Sequence, residues 1–190
     1  MRLRFGRWTG AMLIRNRSLA QTTGLVYLGY FAAAIFGTIL VRKRIDAGVA
    51  LVCLSDFLYA ATGVLFYRLF RPVSGVLALV ASAVCVLGCA TDLLGRLHLK
   101  PVEVSPLVFF GPFCILLGVL IVRSKFLPRL LGWLLIVAGL GWVTFLIPGV
   151  APHAKVVVFP LGFVAELVLM LWLLFKGVDE ACWLKRSRDN

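Results

Sequence analysis

Three acids sit inside long apolar stretches of this chain: Asp56, Asp92 and Glu166. The stretch FVAELVLMLWLLFKG, residues 163–177, holds Glu166 in otherwise unbroken oil until Lys176. An Asp at the centre of a bilayer-spanning helix costs about 2.5–3.5 kcal/mol on insertion scales, and more if it is charged and unpaired. Such a residue needs a partner, a proton or a task. At a rise of about 1.5 Å per residue, Asp56 falls roughly 13 Å, and Glu166 about 15 Å, below the outer edges of their stretches. The two share a depth, and no Lys or Arg lies inside any stretch to pair with them. Either the carboxyls are protonated and hydrogen-bonded, or water reaches them. With Tyr59 and Tyr67 they form a candidate intramembrane polar site. It would be a proton or cation relay, or a cradle for a polar substrate. The plainer alternative is a neutral Glu166 bonded to Tyr59, Tyr67, Ser55 or a backbone carbonyl.

Asp92 differs, because Arg96 follows one helical turn later in the favoured acid-then-base order. The spacing predicts an interfacial ion pair. His98 and His153 are expected on the same side, but nothing in their spacing makes a metal centre with Asp92. No metal and no cofactor is expected. The sequence contains no H-E-x-x-H, no G-x-S-x-G and no phosphate-binding glycine loop. Ser55 and Asp56, adjacent on a helix, cannot face the same way. No catalytic residue can be named. Cys53, Cys85, Cys89 and Cys114 lie within apolar runs and Cys182 beyond the last, with no C-x-x-C among them. They read as small hydrophobes rather than as disulfide partners or metal ligands.

The elements that must carry these residues are long. Of 190 residues, 62% are hydrophobic and only 15% charged, too oily for a soluble domain. A span needs about 20 mostly apolar residues. Six stretches qualify: 20–41, 47–67, 76–95, 104–122, 130–147 and 156–175. RLFRPVSG (68–75), RSKFLPRLLG (123–132) and LIPGVAP (146–152) punctuate them with proline and glycine, and short turns make neighbours antiparallel. The fold expected is all-α, a polytopic six-transmembrane-helix bundle. Of the 20 basic residues, 14 fall on the side of the termini and 6 on the other, which puts both termini in the cytoplasm. The net charge of +12 lies between apolar runs. It therefore suits anionic lipid headgroups at the cytoplasmic face, not nucleic acid.

Residues 1–19 read as a basic interfacial tail, weakened as a helix by Gly6 and Gly10. Residues 20–178 are the membrane domain. Residues 179–190 are a cytoplasmic tail whose Trp183 touches the headgroups. Helical spacing draws small or polar seams along the spans. Cys53, Asp56, Ala60, Gly63 and Tyr67 mark span two, and Ala78, Ser82, Cys85, Cys89, Asp92 and Arg96 mark span three. Gly29, Ala33 and Gly37 mark span one, and Gly111, Cys114 and Gly118 mark span four. Lipid already solvates leucine, so small-residue packing is what drives helices together, and these faces should turn inward.

The stretches GLVYLGYFAAAIFG (24–37), YRLFRPVSGVLALVA (67–81), FFGPFCILLGVLIVRSKFLPRLLGWLLIVAGLG (109–141) and FPLGFVAELVLMLWLLFKGV (159–178) are similar to a bacterial membrane family. That family is known as domain of unknown function 4386. The resemblance implies a bacterial plasma-membrane protein of six helices and transfers no catalytic residue. A non-enzymatic accessory or sensing component is the first expectation. The alternatives are a small proton-linked permease using Asp56 and Glu166, and an intramembrane lipid-modifying enzyme. Homo-oligomers and protein partners are not legible.

Overall fold

The computed structural model describes the backbone of residues 5–97, 99, 105–146 and 151–188, and side chains from residue 19 onward apart from 151 and 152. His98 lies outside the described residues. Among the described residues seven α-helices follow one another: α1 Phe5–Arg42, α2 Ala47–Phe70, α3 Gly75–Arg96, α4 Leu107–Ser124, α5 Arg129–Val143, α6 Ala151–Phe175 and α7 Glu180–Arg188. A 3-10 turn, Thr144–Leu146, extends α5. Six of these are long and apolar enough to cross a membrane, and the chain is a six-span, all-helical membrane protein.

Local chemistry sets the turns. Ser74 caps α3 by accepting a hydrogen bond from the Leu77 amide at 3.3 Å. Lys125 closes α4 in the left-handed conformation, and Pro128 stands directly before α5. Gly177, also left-handed (φ 69°), ends α6 by donating its N–H to the Trp172 carbonyl at 2.9 Å. Two boundaries differ from the sequence expectation. α1 begins at Phe5 instead of near residue 20, because two glycines cost a helix only about 1 kcal/mol each and no proline interrupts the run. α6 takes in Ala151 and Pro152, since proline is tolerated in a first turn.

Each spanning helix packs on its neighbours in sequence, and α6 returns to α1, closing a ring. Facing glycines bring α4 close against α5. A Cβ on Gly118 would stand 2.6 Å from the Gly132 carbonyl oxygen, and one on Gly132 would meet the Gly118 oxygen at the same distance. Gly139 repeats the arrangement seven residues on, 2.7 Å from the Gly111 oxygen. α1 meets α6 as closely: at Gly24 a Cβ would lie 2.7 Å from the Leu174 amide nitrogen. The outward surfaces are studded with exposed Leu, Val, Ile and Phe, as a lipid-facing shell requires. Inside the ring, Tyr27, Phe66, Phe113, Leu117 and Leu169 fill the axis.

Candidate functional site

Glu166 projects from α6 into this interior, on the same face as buried Gly162, Ala165, Leu169 and Met170. Three donors from three other helices reach its carboxyl. The Tyr27 hydroxyl on α1 donates to Oε2 at 2.8 Å, and the Tyr59 hydroxyl on α2 donates to Oε1 at 3.2 Å. The Cys114 thiol on α4 adds a long, weak contact to Oε1 at 3.7 Å. No basic side chain among the described residues forms an ion pair with it.

An aromatic wall holds the two tyrosines. Tyr59 packs on Tyr30 (ring centroids 4.5 Å apart), Phe110 (5.4 Å) and Phe113 (5.8 Å). Tyr27 packs on Phe31 (5.3 Å) and edge-on against Phe66 (5.9 Å). Such pairs fix ring positions and therefore aim the hydroxyls. Glu166 as a residue is half-buried, and a groove of about 490 Å³ lies between α1 and α6. Tyr30, Phe31, Phe163 and Arg42 are among the residues lining that groove.

Asp56 takes a different partner. Its Oδ2 accepts from Arg96 Nε at 3.3 Å, while Arg96 Nη2 bonds Asp92 Oδ2 at 2.7 Å. One guanidinium thus bridges the acids of α2 and α3. The expectation that no cation could pair with Asp56 is corrected here. α3 runs on to Arg96, and a long arginine stem can carry its head back along the helix face to an acid on the neighbour. Asp56 and Glu166 share no hydrogen bond. They are three residues out of step on their faces, since the residue level with Glu166 is Tyr59.

Tyr67 also stands apart. It lies eight residues beyond Tyr59, roughly 12 Å along the helix axis, and lines a cavity at the terminal end with Arg68, Arg71 and Trp183. Of the four residues grouped from the sequence, the structure brings together only Tyr59 and Glu166. Tyr27 and Cys114 complete the shell and were not singled out as ligands of the acid. Cys114 had been placed on an inward seam, whereas Tyr27 carries no charge and offers no spacing signal. His153 is exposed on α6 and belongs to no group of three or more His, Cys, Asp or Glu among the described residues.

Trp183 corrects a further expectation. Instead of touching headgroups it is buried, and its indole N–H donates to the Leu69 carbonyl at 2.9 Å. The tail is a helix because Asp179 caps it, accepting from the Cys182 amide at 3.1 Å. Glu180 in its first turn and Lys185, Arg186 and Arg188 in its last suit the helix dipole.

Residues 102–177 match the model of a family described as "Domain of unknown function (DUF4386)". An uncharacterized protein of Archaeoglobus fulgidus is 29% identical over 136 residues, covering 68% of this chain and 82% of that protein. No solved structure matches the chain. The resemblance read from the sequence therefore holds over α4 to α6. That segment contains Glu166 and Cys114 but neither Tyr27 nor Tyr59.

Proposed function

We propose that this multi-pass protein is a non-enzymatic sensing or accessory component of the plasma membrane, with both termini in the cytoplasm, and that Glu166 is its protonation-sensitive hub. The convergence of Tyr27, Tyr59 and Cys114 on one carboxyl carries the reading. A carboxylate can accept from all three at once. A carboxylic acid must spend one oxygen position as a donor and find an acceptor for it. Gain or loss of one proton would then re-sort bonds that tie α6 to α1, α2 and α4. Four helices would respond to a single chemical event. The surplus of basic residues on the terminal side supports the cytoplasmic placement of the termini.

The test is carbodiimide labelling of the purified protein in liposomes from about pH 5 to 9, read by mass spectrometry. Carbodiimides attack protonated, reachable carboxyls. Modification of Glu166 that fades as pH rises, with a matching change in protection of α1 and α2 amides from hydrogen exchange, is the expected result. An unlabelled Glu166 at every pH would overturn the hub. The permease alternative keeps Glu166 but loses Asp56 as its direct partner. pH-driven flux in the same liposomes, abolished by Glu166→Gln, would transfer the assignment to transport.

A further inference from the structure

At the terminal end of the bundle, a cavity of about 620 Å³ opens between the α2–α3 turn and α7. Tyr67, Arg68, Arg71, Pro72, Trp183 and Ser187 line it. No acid is among them. Neither guanidinium forms an ion pair with any described residue, although Arg96 at the other end of the bundle engages two acids. The Tyr67 and Ser187 hydroxyls add two neutral donors. Trp183, anchored by its bond to the Leu69 carbonyl, is a fixed wall. Two arginines one helical turn apart, with no ion-pair partner among the described residues and with hydroxyl donors beside them, present what a phosphate oxygen cluster accepts. Arg68 stands in the last turn of α2 and Arg71 just beyond it, the level of the lipid headgroups if α2 spans the hydrocarbon. Basic pockets between helices at this level suit phosphorylated headgroups.

We infer that this cavity is a binding site for a phosphate-bearing anion, gripped by Arg68 and Arg71 and closed on one side by α7. The site is separate from Glu166 and does not depend on its role. A lipid headgroup and a soluble phosphoester share the recognised chemistry. The lipid brings it already concentrated at this depth.

The experiment measures thermal stability of the full chain in neutral detergent. It titrates short-chain phosphatidylglycerol, short-chain phosphatidylcholine and inorganic phosphate. The expected result is saturable stabilisation by phosphatidylglycerol and none by phosphatidylcholine. Arg68→Gln/Arg71→Gln should weaken it by about ten-fold or more, as the loss of one charge-assisted grip predicts. Arg123→Gln/Lys125→Gln removes equal charge from the α4–α5 turn and should leave it intact. Stabilisation by inorganic phosphate at matching concentrations would assign the site to a soluble anion and keep the proposal. Equal losses in both double variants would reduce the effect to bulk charge and overturn it, as would no stabilisation by either anion. Arg68→Lys/Arg71→Lys keeps the charge and removes the planar fork. It should bind more weakly than the wild type, and it provides the comparison if the Gln variant does not fold.

Discussion

Glu166 is held by hydroxyls aimed by aromatic packing, so the price of altering it falls on its partners. Glu166→Gln keeps one acceptor oxygen and brings two donors toward hydroxyls that can rotate to accept. Its expected cost is about 1 kcal/mol, the net worth of one hydrogen bond. Glu166→Leu leaves the Tyr27 and Tyr59 hydroxyls with no acceptor, at about 1–3 kcal/mol for each buried orphan. It also relieves the unfolded chain of an acid in lipid, which pushes stability the same way. Unfolding in mixed micelles by added dodecyl sulfate should rank wild type above Gln and Gln above Leu. A Leu variant as stable as the wild type would remove the structural role. At the Arg96 bridge, Arg96→Gln strands Asp56, whose side chain is 10% exposed, beside Asp92. Because Arg96 itself is 37% exposed, water screens part of the loss, and about 1–2 kcal/mol is expected. Arg96→Gln/Asp56→Asn should recover most of it in the same assay. Asp92 with Arg96 was legible from four-residue spacing. The long-range half of the bridge was not, since periodicity describes a face and not the neighbour that meets it.

Among the helices, glycine decides how closely backbones approach. On α4 and α5, the carbonyl oxygens of Gly118 and Gly132 each stand where the other's Cβ would need space. Gly118→Val must force these helices apart, with an expected loss of about 1–3 kcal/mol from overpacking. Gly75 has nothing within 4 Å of its would-be Cβ, so Gly75→Ala should be neutral or stabilising by up to about 1 kcal/mol through helix propensity. The same micelle titration reads both, and similar losses at the two positions would refute the packing account. The small seams of spans three and four were legible: Ala78, Ser82, Cys85 and Cys89 are buried, as are Gly111, Cys114 and Gly118. In span two Asp56 and Gly63 of the expected seam are buried, but the buried face extends toward Ser55, Tyr59, Thr62 and Phe66, with Cys53, Ala60 and Tyr67 only half-buried. Large aromatics there fill the ring's axis. A rule that follows small residues cannot see them.

For the molecule as a whole, length and hydropathy made the six spans legible, while the closing of α6 onto α1 and the docking of α7 were not. Both depend on contacts between segments far apart in sequence. The closure rests on Gly24 meeting the Leu174 backbone, and the docking on one indole within a charged tail. That docking ties together separate turns at the terminal side. The Asp179 amide donates to the Phe126 carbonyl at 3.0 Å, and Trp183 reaches the end of α2. α7 has only nine residues, too few to hold a helix alone in water. Its order should therefore depend on the buried Trp183 side chain. Trp183→Ala removes that burial and the bond to Leu69, a loss of about 3–5 kcal/mol at a fully packed site. The six-span ring does not rest on it, so the loss should appear as local opening of α7 with the midpoint of global unfolding little changed. Lys185, Arg186 and Arg188 then become trypsin sites on an unfolded tail. When opening is fast relative to cleavage, the rate follows the open population, and about 1.4 kcal/mol gives each factor of ten. Trypsin should clip Trp183→Ala roughly a hundred-fold or more faster than wild type at these positions, and Trp183→Phe, which keeps the ring and loses the N–H, should fall between them. Equal clipping rates in all three proteins would mean that α7 is not held by its tryptophan.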